Sequence, residues 1–79
     1  MENYRLDLHK TKHIDAKRIV IRFIEAHWTE NAELEIITGN SLKMKGIVID
    51  ILEEYKLTYQ IGRRYDLYNN GYILTCTGD

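Results

Sequence analysis

The sequence contains no proline and a single cysteine, Cys76. One cysteine excludes an internal disulfide, and since no Cys/His spacing of the zinc-site type is present, we interpret Cys76 as a reduced, structural thiol. Without proline the usual mark of a linker is missing, and no repeat or low-complexity segment divides the chain either. The 79 residues therefore predict one globular domain.

Long apolar runs and an excess of one charge are also lacking. Nowhere do about 18 apolar residues follow one another, and no apolar run lies behind the first residues, so neither a membrane span nor a signal peptide is predicted. Eleven basic and twelve acidic side chains give a net charge of -1. This charge excludes proteins that coat nucleic acid through bulk positive charge, so any contact with a polyanion must be local. We expect a cytoplasmic protein.

Hydrophobic periodicity predicts the element order βαβαββ. The predicted elements are a strand at 4–9, a helix at 13–28, a strand at 34–38, a helix at 41–55 with Ser41 as its N-cap, and strands at 57–61 and 72–77. Phe23 and Trp28 are expected in the core. His27 lies on the apolar stripe of the first helix and is expected to be packed, whereas His13 is expected to be exposed.

The order of elements favours an α/β two-layer sandwich. Two βα units followed by a hairpin predict a mixed four-stranded sheet with both helices on one face, because crossover connections are right-handed. If the third strand is parallel to the first two, the loop that follows it, with Arg63 and Arg64, lies at the same edge as His9 and Gly39. Open α/β sheets bind their ligands at this edge.

Two short motifs end the first two strands, Leu-Asp-Leu-His at 6–9 and Ile-Thr-Gly-Asn-Ser at 37–41. Asp7 and His9 share one strand face, where His9 can act as a general base on water or a 2′-hydroxyl, or as a metal ligand. Asp7 can orient that imidazole or hold Mg²⁺ or Mn²⁺. A solvated histidine and a carboxylate that protects a sheet edge are the alternative interpretations.

Residues near this edge are candidates for binding a phosphate. A helix that begins at Ser41 directs backbone N–H groups into the same space. Lys43 and Lys45 oppose the helix dipole there, and an anion would offset that cost. Solvated lysines and an ordinary surface loop remain alternatives. The predicted substrate-binding set is Lys10, Thr38, Gly39, Asn40, Ser41, Lys43, Lys45, Arg63 and Arg64.

The two motifs together resemble those of the Smr (small MutS-related) domain family. Residues 6–9 are similar to its LDxH motif and residues 37–41 to its TGxG region, and the similarity extends over residues 4–77. Smr domains share the fold of the C-terminal domain of translation initiation factor 3, and several are metal-assisted DNA-nicking or RNA-cleaving endonucleases. The resemblance implies that Asp7 and His9 carry the chemistry, with a divalent metal as cofactor and nucleic acid as partner.

Two positions depart from the family pattern, because Lys10 and Ser41 stand where the family usually has glycine. Lysine beside His9 suits a phosphate, and serine gains a helix cap but gives up the closest backbone approach. The leading expectation is an endonuclease that hydrolyses phosphodiester bonds in RNA or DNA. A non-catalytic nucleic-acid-binding module and a small adaptor or inhibitor that binds a protein through the open sheet face remain alternatives. No organic cofactor is predicted, and the oligomeric state stays open.

Overall fold

The computed structural model describes residues 2–62 and 71–78. These residues form the predicted order of elements, which are β1 (Glu2–Asp7), α1 (His13–Ala26), β2 (Ala32–Ile37), α2 (Leu42–Glu54), β3 (Tyr59–Ile61) and β4 (Tyr72–Cys76). Strand β3 begins later than predicted because the chain first completes the end of α2. Lys56 takes a positive φ of 58°, and the N–H group of Leu57 donates to the carbonyl oxygen of Leu52 at 2.9 Å.

The four strands form one mixed sheet in the order β1-β2-β4-β3. Strands β1 and β2 are parallel, and β4 is antiparallel to both of its neighbours. Strand β3 therefore runs in the same direction as β1 and β2, and the carboxyl ends of these three strands share one edge of the sheet.

Both helices cover the same face of the sheet, as predicted. Val20 and Ile24 of α1 and Val48 and Leu52 of α2 are fully buried. The sheet meets them with the fully buried side chains of Leu34, Ile36 and Ile73. These contacts form one hydrophobic core between two layers, so the α/β two-layer sandwich is confirmed.

The prediction that Trp28 belongs to the core is wrong, because 42% of this residue is exposed. Helix α1 ends before it, so Trp28 leaves the apolar stripe and packs on Tyr55 with ring centroids 5.3 Å apart. His27 is packed as predicted, stacked on Tyr4 with a centroid distance of 3.7 Å. Cys76 is exposed at the end of β4. Neither α1 nor α2 is long and apolar enough to cross a membrane.

Candidate functional site

The candidate site lies where β1 and β2 end side by side. Asp7 and Ile37 are register partners at the last position of each strand, and the N–H group of Leu8 donates to the carbonyl oxygen of Ile37 at 2.8 Å. A Cβ atom placed on Gly39 would lie 3.8 Å from the Cβ atom of His9. The prediction that His9 and Gly39 meet at one edge of adjacent parallel strands is thus confirmed.

Asp7 and His9 form a hydrogen-bonded pair at this edge. The Oδ1 atom of Asp7 lies 2.5 Å from Nδ1 of His9 and accepts from the backbone N–H group of His9 at 3.0 Å. These two hydrogen bonds, with a smaller contribution from the charge of Lys10, hold the pKa of the Asp7 carboxyl below its ordinary value. Since Nδ1 faces the carboxylate, Nε2 is the ring nitrogen that remains for a substrate.

The glycine turn after β2 is fixed to the start of β4. The N–H groups of Thr38 and Gly39 both donate to the carbonyl oxygen of Gly71, at 2.8 and 3.1 Å. Thr38 is buried, and its hydroxyl lies 3.0 Å from the carbonyl oxygen of Gly39 and 3.3 Å from that of Gly71, so its one proton is shared between them. Gly39 itself has a φ of +66°, in the left-handed region that favours glycine. Thr38 therefore holds the turn, and Asn40, which is exposed, follows it.

Ser41 begins α2 as predicted, because its Oγ atom accepts from the N–H group of Met44 at 3.1 Å. The same Oγ atom lies 3.4 Å from Nε2 of His13. His13 is exposed, as expected, but its position beside Ser41 was missed from the sequence. Parallel pairing of β1 and β2 is the signal that could have found it, because that pairing brings the starts of the two following helices together.

Three lysines lie close in sequence to the pair and the turn: Lys10, Lys43 and Lys45. Lys10 and Lys43 are exposed and Lys45 is half-buried. The first turn of α2 contains no acidic residue. A local concentration of positive charge therefore exists although the chain as a whole is slightly negative. Arg63 and Arg64 lie outside the described residues, and their place at this edge stays a prediction.

The donor atoms near Asp7 fit a metal ion only in a limited way. Among residues 2–62 and 71–78 no group of three or more His, Cys, Asp or Glu side chains is arranged to hold one. The Oδ1 atom of Asp7 is engaged by His9, so Oδ2 is the oxygen that would hold a metal ion. One carboxylate with waters and substrate phosphates is a normal Mg²⁺ environment. A divalent metal ion as cofactor stays a prediction.

Comparisons of the chain with protein-family models, with curated proteins and with solved structures found no match. The resemblance to Smr domains therefore depends on residues 6–9 and 37–41 together with the order of elements.

Proposed function

We propose that this chain cleaves phosphodiester bonds in nucleic acid, with Asp7 and His9 as the catalytic pair. The observation that carries the proposal is the 2.5 Å contact between Oδ1 of Asp7 and Nδ1 of His9, beside the Gly39 turn. A carboxylate in this position keeps the proton of a neutral imidazole on Nδ1 and leaves the lone pair on Nε2. His9 is then oriented as a general base.

The reaction begins when Nε2 of His9 accepts a proton from water or from a 2′-hydroxyl group. The deprotonated oxygen forms a bond to phosphorus, the bond from phosphorus to the leaving oxygen breaks, and the leaving oxygen takes a proton from solvent. The Asp7 carboxylate stabilises the imidazolium that His9 becomes. Proton transfer by a positioned histidine contributes about 10²- to 10⁴-fold to such a rate.

The scissile phosphate is expected between His9 and the start of α2. Backbone N–H groups in the first turn of a helix bind anions, and the positive end of the dipole favours them. Lys43 lies in that turn, where it costs the free helix a few tenths of a kcal/mol, and a bound phosphate would offset this cost. Lys10, exposed next to His9, supplies a second cation to the same phosphate backbone.

A divalent cation, Mg²⁺ or Mn²⁺, would be held by the Oδ2 atom of Asp7 together with the substrate phosphate. When bound, it supplies positive charge to the phosphoryl oxygens. The two roles of Asp7 differ in their response to excess metal. Loss of a metal ligand in Asp7→Asn is expected to be partly rescued by excess Mn²⁺, whereas loss of a carboxylate that only orients His9 is not.

The proposal is tested with labelled single-stranded RNA and supercoiled plasmid, each incubated with Mg²⁺, Mn²⁺ or a chelator. His9→Ala, purified in parallel, controls for contaminating nucleases. We expect the wild-type protein to cut at least one substrate and His9→Ala to cut it about 10²- to 10⁴-fold more slowly. Wild-type protein that binds nucleic acid and cuts neither substrate would contradict the proposal and indicate a binding module.

A further inference from the structure

Two aliphatic side chains at the site edge are almost fully exposed. Ile14 is 87% and Leu42 is 81% exposed, whereas Trp28, Tyr59 and Ile61, the other exposed large apolar residues of the described ranges, are near 40%. Ile14 is the second residue of α1 and Leu42 is the first of α2. Each therefore stands in the first turn of a helix whose start lies beside the Asp7–His9 pair.

The residues that precede Ile14 and Leu42 are in contact with each other. Nε2 of His13 lies 3.4 Å from Oγ of Ser41, which brings the starts of α1 and α2 together. Neither aliphatic residue is needed by the core, since α1 buries Ala16 and α2 buries Met44 as their first core positions. An aliphatic side chain left in water forgoes about 1.5–3 kcal/mol of the free energy that burial would contribute, and a bound partner can supply that burial.

The charges around this aliphatic pair indicate what covers it. Residues 7–15 and 38–45 together contain four lysines and two aspartates, although the whole chain carries a net charge of -1. The four lysines are Lys10, Lys12, Lys43 and Lys45. An occupant with regularly spaced negative charges and uncovered apolar surfaces matches such an edge. Single-stranded nucleic acid has both, because its bases expose ring faces that a duplex keeps stacked.

We propose that Ile14 and Leu42 contact unpaired bases, so that this edge selects single-stranded nucleic acid over duplex. A base that is free of the duplex stack can pack against apolar side chains, while lysines neutralise the flanking phosphates without reading the bases. The inference shares with the proposed function the choice of nucleic acid as partner. It concerns binding, however, and does not depend on cleavage.

The test measures fluorescence anisotropy of one labelled sequence as a single strand and as a duplex. Wild-type protein is compared with Ile14→Ser, Leu42→Ser, the double variant, and the control Tyr59→Ser, which changes an exposed apolar residue at the start of edge strand β3. We expect wild-type protein to bind the single strand at least about 10-fold more tightly than the duplex. The double variant is expected to lose about 10-fold in affinity for the single strand alone. The salt dependence of its single-strand affinity should be unchanged, because the four lysines remain.

Three outcomes would overturn this inference: equal affinity of the wild-type protein for single strand and duplex, full single-strand affinity in the double variant, or binding only to anionic phosphatidylserine vesicles. Thermal unfolding checks that the variants remain folded, which is expected because both side chains are exposed. Single-strand binding through Ile14 and Leu42 without cleavage would support the inference and contradict the proposed function. Cleavage that requires His9 but is unchanged in the Ile14 and Leu42 variants would support the proposed function and contradict this inference.

Discussion

The Cβ atom of His9 lies 3.8 Å from the point at which Gly39 would carry a Cβ atom of its own. This contact joins the ends of two parallel strands, so the imidazole and the glycine turn belong to one site. It also leaves ordinary van der Waals room for a methyl group at residue 39. Any cost of a side chain there must therefore come from the backbone, whose φ is +66°.

Gly39→Ala is expected to lower the free energy of unfolding by about 1–2 kcal/mol, because an L-residue is strained at this φ. Gly46→Ala is the matched control. Gly46 lies within α2, and an added Cβ atom meets nothing within 4 Å. This second variant should gain about 0.5–1 kcal/mol from the higher helix propensity of alanine. Urea unfolding measures the free energy of unfolding of both variants. A change of the same sign in Gly39→Ala and Gly46→Ala would contradict this explanation.

Ser41→Ala is expected to destabilise the protein by about 1 kcal/mol, because the N–H group of Met44 loses its side-chain acceptor. In a domain of this size the loss corresponds to a decrease in Tm of about 4–8 °C. Ser41→Asp keeps an acceptor at the N-cap and should retain most of the stability. Calorimetry gives the Tm of the wild-type protein, Ser41→Ala and Ser41→Asp. An unchanged Tm in Ser41→Ala would show that the N-cap hydrogen bond contributes nothing to stability.

The carboxyl of Asp7 is expected to titrate at a pKa below its ordinary value of 3.8, chiefly because it accepts hydrogen bonds from His9. A pKa that is lowered in the folded state stabilises the protein above the unfolded value, and this contribution disappears as the pH falls through the folded value. In His9→Ala the pKa should return toward 3.8. Carboxyl ¹³C chemical shifts report both titrations. Identical curves for the two proteins would exclude the side-chain hydrogen bond between Asp7 and His9, because the backbone N–H group of residue 9 remains in the variant.

Local patterns were enough to predict the elements and the meeting of His9 with Gly39. The strand and helix periods of residues 4–55 are strong, and two consecutive βα units leave little choice about which strand ends come together. The place of β4 between β2 and β3 was not specified, because it depends on long-range pairing such as Leu34 with Thr75 and Gln60 with Leu74.

The errors and omissions have local physical causes. The predicted first helix continued to residue 28, two residues beyond the observed end of α1 at Ala26. Trp28 was therefore placed in the core although it lies outside the helix. The late start of β3 follows from the positive φ of Lys56, which no apolar pattern reports. The proximity of His13 to Ser41 requires the packing of two helix starts. Sequence patterns thus predicted that Asp7 and His9 meet the Gly39 turn, and missed the contact of His13 with Ser41.

The central claim is that His9 accepts a proton during phosphodiester cleavage, and one measurement tests it most directly. The cleavage rate constant is measured under single-turnover conditions at saturating protein for wild type and His9→Ala, with Kd determined separately by anisotropy. The account predicts a rate constant about 10²- to 10⁴-fold lower in His9→Ala with an unchanged Kd. An equal rate constant in the two proteins, with any loss of activity confined to a weaker Kd, would contradict it.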